Sequence, residues 1–279
     1  MPRPAFRIGV ALALALVLVV VGGVAASGRW RARAPFHPRD AALREAPLYF
    51  YPAYGDAPTA ERPPRAVVFF FGNDMGFWYP HQRLAERLHR EGYAVVGFDV
   101  KRVLDGLPEG PTRDSVYLAR VDSLLTRARA ALGASDRPLV LAGHSIGGEL
   151  ALWTAAHLRS PALETRLVGV VSLSPGQRGH LLTTLADVRG DEPREPGSFA
   201  TDSQVAQIAP RVHVAIVRGE YDKFRYADPG LVAAGARLFL VPGQHHSLKG
   251  VASAAPVVRA ALRYATGDTV APGPIAAGT

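Results

Sequence analysis

Cysteine is absent from the 279 residues of this sequence. Its absence excludes disulfides, thiolate metal sites, a cysteine nucleophile and a lipid-modified N-terminal cysteine. The first strand is not followed by G-x-G-x-x-G, and there is no P-loop, so nothing indicates a nucleotide-binding domain. H-E-x-x-H is also missing, and the adjacent His245 and His246 have a poor spacing for metal ligands. We therefore expect neither a metal nor a cofactor.

Dense runs of positive charge are also missing, although the formal net charge is +8. The arginines are scattered along the chain, unlike the basic patch that nucleic-acid binding requires, so we expect no nucleic-acid partner. The sequence is 48% hydrophobic and 20% charged, as in ordinary globular proteins. Its length allows one large domain or two small ones.

An apolar run without a single charge covers residues 8–26, after a basic start that contains Arg3 and Arg7. This pattern is typical of an export signal, with a small-residue cleavage site that ends at Ala26. As a helix the run would be about 28 Å long, which is enough to span a bilayer, so an uncleaved anchor is the alternative. We expect a periplasmic or otherwise extracytoplasmic protein, either soluble after cleavage or held by residues 1–26.

Apolar runs alternate with helical segments between residues 46 and 266. Such runs predict buried strands, and the alternation predicts one α/β domain with a mostly parallel sheet and helices on both faces. The predicted strands are 48–54, 65–71, 93–100, 138–143, 167–174, 211–219 and 236–243. Before the domain, residues 27–45 read as a basic linker. Residues 175–210 interrupt the alternation and are predicted to cover the site, and residues 267–279 are predicted to be a flexible tail.

The stretch Gly143-His144-Ser145-Ile146-Gly147 matches G-x-S-x-G and lies between a predicted strand and a predicted helix. Gly143 and Gly147 are required there because the strained turn brings neighbouring backbone too close for a Cβ atom. Ser145 would project at the N-terminus of the helix, whose dipole favours a developing anion. We predict that Ser145 is a nucleophile and that His144 is structural. The alternative is a set of small residues that serves close packing and helix capping.

A serine nucleophile needs a base and an acid that orients the base, in the chain order Ser, Asp or Glu, His for this architecture. Asp222 follows the strand 211–219 and is the predicted acid, with Glu220 in reserve; the alternative for Asp222 is a solvated turn residue. The base is His245 or His246, and the offset from "VPG" favours His246. All these strands end at the same edge of a parallel sheet, so the side chains can converge.

Acyl transfer also needs hydrogen-bond donors for the oxyanion. One predicted donor is the backbone N–H of Ile146, the residue after the nucleophile. The other is the backbone N–H of Asn73, in the turn "GNDMGFW" after the strand 65–71. The alternative for this second segment is an ordinary Gly/Asn/Asp turn.

Four motifs together resemble those of α/β-hydrolases, over roughly residues 45–265. They are "FFFGNDMGFW", "GHSIGG", "GEYD" and "GQHHS", which match the oxyanion turn, the elbow, the acid loop and the base loop of that superfamily. Within it, "GFDVKRVL" and "SLSPGQRGHL" are most similar to the VirJ/AcvB type of exported, virulence-associated bacterial proteins, although Met75 replaces that family's second turn glycine. The resemblance implies hydrolysis of lysyl-phosphatidylglycerol in the periplasm and an association with type IV secretion.

Charged residues at the same edge of the predicted sheet are compatible with such a substrate. Lys101 and Arg102 follow the strand 93–100 and could hold a phosphate, or they are a pair of surface cations. Asp74 could face an ammonium group on the acyl side. We predict a serine hydrolase that acts on an ester, with an anionic phospholipid as the expected partner. The alternative is a non-catalytic protein of the same fold that binds envelope or secretion-system proteins.

Overall fold

The structure is a computed structural model that describes residues 32–55, 62–182, 184, 189, 191–194, 197–248 and 251–268. The predicted signal or anchor at residues 1–26 lies outside the described residues, as does all of the predicted tail after residue 268. No helix among the described residues combines the length and the apolar character needed to cross a bilayer.

Seven strands form one open sheet in the order β1-β3-β2-β4-β5-β8-β9. The strands of the structure are β1 Leu48–Tyr51, β2 Val67–Phe71, β3 Ala94–Phe98, β4 Leu139–His144, β5 Leu167–Leu173, β6 Arg178–Gly179, β7 Phe199–Ala200, β8 His213–Gly219 and β9 Arg237–Val241. Strand β1 pairs antiparallel at one edge, and the other six run parallel. The mostly parallel sheet predicted from the alternating pattern is therefore confirmed. The short strands β6 and β7 form a separate hairpin-like pair.

Helices cover both faces of the sheet. They are α1 Ala41–Glu45, α2 Tyr79–Arg90, α3 Val100–Asp105, α4 Arg113–Ala131, α5 Ile146–His157, α6 Pro161–Glu164, α7 Thr201–Ile208, α8 Asp228–Ala233 and α9 Ala255–Ala265, with 3₁₀ turns at Ala53–Gly55, Lys223–Ala227 and Val251–Ala254. Successive residues of β2 explain the two layers, because side chains alternate across a strand. Phe69 and Phe71 pack in the cluster that contains α4 and α5, whereas Val68 and Phe70 pack in the cluster that contains α2 and α9.

Two local features differ from the sequence prediction. The strand predicted to reach Val100 ends at Phe98, because the Asp99 carboxylate accepts a hydrogen bond from the Arg102 N–H at 3.1 Å and caps a new helix, α3. Pro256, inside the helical segment 251–265, predicts a kink in the last helix. Instead Pro256 lies in the first turn of α9, where a missing N–H leaves no helical hydrogen bond unmade.

The structure also differs from the predicted bounds of the linker and of the cover. The described part of the predicted linker 27–45 packs on the domain: Leu43 is buried, and the Tyr51 hydroxyl donates to the Arg33 carbonyl at 2.8 Å. In the predicted cover 175–210, helix α7 buries Val205 and Ile208 in the core. Helix α7 is therefore part of the domain body and does not belong to a cover.

Candidate active site

The G-x-S-x-G segment forms a sharp turn between β4 and α5. Ser145 has φ 56° and ψ −127°, a backbone conformation that residues other than glycine rarely adopt. Its N–H donates to the Leu173 carbonyl at 2.8 Å. The flanking glycines are a steric requirement. A Cβ atom on Gly143 would lie 2.1 Å from the Gly147 carbonyl oxygen, and a Cβ on Gly147 would lie 1.8 Å from the Gly72 carbonyl oxygen. The turn therefore holds Ser145 at the carboxyl edge of the sheet, against the turn that follows β2.

Three predicted catalytic side chains meet at this edge. The Ser145 hydroxyl oxygen Oγ lies 3.0 Å from Nε2 of His246, in the loop after β9. Nδ1 of the same ring lies 3.3 Å from Oδ1 of Asp222, in the turn after β8. The structure therefore joins the nucleophile, base and acid candidates in one hydrogen-bonded line.

The two reserve candidates lie elsewhere. His245 is exposed, and its Nδ1 lies 3.2 Å from the Tyr221 carbonyl oxygen. Glu220 accepts a hydrogen bond from the Gly243 N–H at 2.8 Å, which closes the loop after β9. Neither is hydrogen-bonded to Ser145 or His246.

The Asp222 carboxylate is buried and surrounded by donors. Oδ1 also accepts from the Phe224 N–H at 3.0 Å, and Oδ2 accepts from Nη1 of Arg218 at 3.1 Å. Burial by itself would raise the pKa of Asp222, but the hydrogen bonds from His246 and Phe224 and the positive charge of Arg218 outweigh it and hold the pKa well below its usual value. Asp222 is therefore ionised at neutral pH and can orient a histidine ring.

Two further histidines, His144 and His81, are linked by hydrogen bonds to the backbone of His246. Nε2 of His144 lies 3.2 Å from the His246 carbonyl oxygen, and Nδ1 of His144 lies 3.3 Å from Nε2 of His81. The Trp78 N–H donates to Nδ1 of His81 at 3.5 Å. A carbonyl oxygen only accepts, so Nε2 of His144 must carry its proton, and Nδ1 must then accept from His81. The three hydrogen bonds therefore point the same way: Trp78 donates to His81, His81 donates to His144, and His144 donates to the backbone of His246.

Both supporting rings are buried and neutral. Burial, and next the nearby His246 ring, lower the pKa of His144 to about 4. Burial, and next His144, lower the pKa of His81 well below its usual value, against the opposing effect of the Gly76 carbonyl. Neutral rings are what the donor chain requires, because an imidazolium would place two donors face to face.

The second predicted oxyanion donor is used within its own turn. The Asn73 N–H donates to the Gly76 carbonyl at 3.2 Å, and the Gly76 N–H donates back to the Asn73 carbonyl at 2.8 Å. The prediction for Asn73 is therefore wrong for this conformation, because residues 73–76 close into a tight turn that pairs its own ends. By contrast, Ile146 lies at the start of α5, where an N–H has no helical acceptor, and no other hydrogen bond engages it within the described parts of the chain.

A cavity of about 400 Å³ opens over the Ser145 hydroxyl. Its lining includes Asp74, in the turn after β2, and residues of the cover such as Arg178 and Glu192. It also includes Glu149, a buried side chain on α5 that accepts from the Gly176 N–H at 2.8 Å. The cavity therefore presents charges of both signs close to Ser145.

Lys101 and Arg102 do not reach this cavity, so the prediction that they bind substrate is wrong. Both are exposed on α3, where Lys101 pairs with Asp105. Arg102 instead lines a second cavity of about 670 Å³, beside Phe36 and Tyr49. The reason is topological: β3 is separated from β4 by β2, and α3 begins directly after β3 and carries both side chains away.

Two groups of this site were missed in the sequence, although each left a signal. Arg218 is a fully buried charge in the strand "HVAIVRG", where only apolar residues separate it from the exposed His213. A charge inside a buried strand indicates a buried partner of opposite charge, because burying an unpaired charge costs a large desolvation free energy. His81 stands three, four and seven residues before Leu84, Ala85 and Leu88, on the buried face of α2.

No group of three or more metal-binding side chains is arranged as a metal site in the described residues.

Known proteins share this architecture at low sequence identity. Esterase 2 of Thermogutta terrifontis is 20% identical, with a TM-score of 0.51 over 81% of this chain and 91% of that one. Proline iminopeptidase of Mycobacterium smegmatis is 13% identical, with a TM-score of 0.54 over 80% and 96%. MenH of S. aureus is 15% identical, with a TM-score of 0.51 over 76% and 96%. No model of a protein family and no curated protein matches the sequence. The sheet order and these likenesses together establish the α/β-hydrolase fold that the motifs predicted.

Proposed function

We propose that this protein is a serine hydrolase that cleaves a carboxylic ester through an acyl-enzyme on Ser145. The observation that carries the proposal is the line from Ser145 Oγ to His246 Nε2 at 3.0 Å and from His246 Nδ1 to the buried Asp222 at 3.3 Å. A hydroxyl within hydrogen-bond reach of an imidazole, itself oriented by a carboxylate, is the arrangement that activates a serine.

In the first half-reaction, His246 accepts the Ser145 proton as Oγ attacks the ester carbonyl carbon. The carbonyl oxygen becomes an oxyanion, which the Ile146 N–H and the N-terminus of α5 stabilise. The tetrahedral intermediate collapses, the carbon–oxygen bond to the alcohol breaks, and His246 returns the proton to the leaving alcohol. In the second half-reaction, His246 deprotonates a water molecule that attacks the acyl carbon. The bond from that carbon to Ser145 Oγ breaks, the acid leaves, and His246 returns the proton to Oγ.

For the substrate, we infer an aminoacyl ester of a phospholipid, of which lysyl-phosphatidylglycerol is the case implied by the VirJ/AcvB resemblance. Asp74 and Glu149 line the cavity beside Ser145 and suit an ammonium group on the acyl side. Arg178 and Lys223 line it as well and suit a phosphate on the alcohol side. The apolar run at residues 8–26 supports a location outside the cytoplasm, at the membrane that holds such lipid.

The nucleophile is tested by labelling the purified protein with a fluorophosphonate, which reacts with activated serines. We expect Ser145→Ala to abolish labelling and to lower kcat for a p-nitrophenyl ester by roughly 10⁴-fold or more. Ser247→Ala is the matched control, because Ser247 is exposed and lines the same cavity. A folded wild-type protein that takes no label would refute the hydrolase and favour a non-catalytic binding protein.

The substrate and the location need separate measurements. Incubation with lysyl-phosphatidylglycerol in micelles should release free lysine from the wild type and not from Ser145→Ala. Cleavage of p-nitrophenyl esters without lysine release would discard the lipid and leave the hydrolase. N-terminal sequencing of the protein from its native envelope should find either a start after Ala26 or an intact anchor. A protein recovered from the cytosol would contradict the proposed location.

A further inference from the structure

Behind Asp222 lies a buried cluster of three charged side chains: Arg218, Asp222 and Asp228. Arg218 donates through Nη1 to Asp222 at 3.1 Å and through Nε to Asp228 at 2.8 Å. The Arg218 and Asp222 side chains have no exposed surface, and the Asp228 side chain is 9% exposed. Nη1 of Arg218 also donates to the Pro175 carbonyl at 2.7 Å. The guanidinium therefore bridges two carboxylates, of which only Asp222 touches His246.

An arginine in this place poses an electrostatic problem for the proposed reaction. In a serine hydrolase, the acid stabilises the imidazolium that forms when the base takes the serine proton. A buried guanidinium 3.1 Å from that acid carries the opposite charge and cancels much of its field at the base. Arg218 and Asp222 alone would form a neutral pair, and His246 would then gain little from Asp222 on becoming positive.

The second carboxylate resolves the problem. Resting on the proposed function, we propose that Asp228 is a positioning residue whose charge offsets Arg218, so that the negative charge of Asp222 remains available to the His246 imidazolium. With both carboxylates ionised, the cluster carries one net negative charge. Proton transfer from Ser145 to His246 then makes the cluster and the imidazolium neutral together, which is the favourable direction in a buried site.

The ionised state of Asp228 is set by opposing effects. Burial raises the pKa of Asp228 above its usual value, the charge and the hydrogen bond of Arg218 offset only part of the rise, and the charge of Asp222 adds to it. Arg225 lies on the outer side, with Nε 3.9 Å from Oδ2 of Asp228, and adds positive charge. Since arginine does not give up its proton in proteins, the 2.8 Å contact with Arg218 is a charge-assisted bond when Asp228 is ionised.

Other charged and titratable groups line the same cavity as His246. They are His81 on α2, His144 at the end of β4, Glu149 on α5, Asp74 in the turn after β2, Lys223 in the 3₁₀ turn, and Arg178, Arg189, Asp191 and Glu192 in the cover. The charges of Arg218 and Asp222 also affect the pKa of Tyr226, after the larger effects of burial and Glu192. All of them remain unchanged in the variants below, so a difference between variants isolates the cluster.

The test is an NMR titration of the His246 imidazole in the full chain, with its signals assigned by their loss in His246→Gln. Asp228→Asn keeps the shape and an acceptor for Arg218 but removes one negative charge. We expect it to move the titration midpoint of His246 to lower pH by about one unit, the effect of a unit charge one ion pair away at an effective dielectric constant of ~20. Arg218→Gln/Asp228→Asn removes both opposite charges and should return the midpoint to within about 0.3 units of the wild type.

Activity gives a second readout. With a p-nitrophenyl ester, Asp228→Asn should shift the acid limb of kcat/KM to lower pH by the same amount and lower the plateau about tenfold, and the double variant should recover most of the loss. Asp202→Asn is the matched control: Asp202 lies on α7 next to α8 at Gly230, and no ion pair joins it to Arg218 in the described structure. Asp202→Asn should change neither readout.

The outcomes separate this inference from the proposed function. A folded Asp228→Asn with an unmoved His246 midpoint would overturn the role of Asp228, and so would a double variant that shifts as far as the single one. The titration needs no turnover. A protein that fails to react with fluorophosphonate would therefore refute the hydrolase while leaving the electrostatic result readable.

Discussion

The burial and the hydrogen bonds of His144 lead to a prediction about stability that does not depend on catalysis. His144 donates to the His246 carbonyl and accepts from His81, and the accepting nitrogen requires a neutral ring. Glutamine is the informative replacement. Its amide nitrogen can donate to the His246 carbonyl and its oxygen can accept from His81, but it does not titrate. His144→Gln should therefore keep the hydrogen bonds and remove a single ionisable group.

The magnitude follows from the pKa of His144, which burial lowers from 6.5 to about 4. Because the folded pKa lies below the unfolded one, the unfolded chain binds the proton first as the pH falls. The free energy of unfolding that His144 contributes is complete above pH 6.5, declines between pH 6.5 and about 4, and changes no further below that. The pKa difference corresponds to a loss of about 3 kcal/mol.

Urea unfolding measured at intervals between pH 7.5 and 4 gives the free energy of unfolding for each variant. The wild type should lose about 3 kcal/mol more than His144→Gln over this range, because all other titrating groups are common to both. His37→Gln serves as the control, since His37 is exposed and should leave the pH dependence unchanged. If the free energy of unfolding depends on pH in the same way in the wild type and in His144→Gln, the claim that His144 is neutral in the folded protein is refuted.

Two further predictions concern the elbow and the misplaced cations. Gly147→Ala should destabilise the protein by more than about 3 kcal/mol in urea unfolding, because its Cβ would lie 1.8 Å from the Gly72 carbonyl oxygen. Gly230→Ala, where the nearest atom is 3.4 Å away, should change the stability by no more than about 1 kcal/mol, so an equal loss in both would contradict the steric argument. Lys101→Ala/Arg102→Ala should leave KM for the lipid and for a neutral ester within about twofold of the wild type, because neither side chain reaches the cavity; a selective rise of KM for the lipid would restore their predicted role.

Much of the fold could be predicted from the sequence because its causes are local. Buried parallel strands are short apolar runs, and β2, β3, β4, β5 and β8 have all or nearly all of their residues buried. The elbow was equally legible, since only glycine tolerates the backbone contacts at 143 and 147. The convergence of Ser145, Asp222 and His246 could be predicted too, because the strands before them end at one edge of the sheet.

The tertiary structure decided which groups on that edge meet. His245 and His246 are adjacent in the chain, and only the loop conformation after β9 directs His246 to Ser145 and His245 to the Tyr221 carbonyl. A sequence pattern places Lys101 and Ser145 at the same edge, yet the intervening strand and the Asp99 cap separate them.

The charge balance of the site likewise depends on residues that come together only in the folded chain. Arg218 lies between Asp222 and Asp228, and His81 reaches His144 across 63 positions of sequence. By itself the sequence determined the strands, the strained serine turn and the chemistry available at the sheet edge, because these depend on sterics and hydrophobicity over a few residues. Only the tertiary structure decided which donors face which acceptors, because hydrogen bonds and buried ion pairs depend on distances of a few ångströms between segments far apart in the chain.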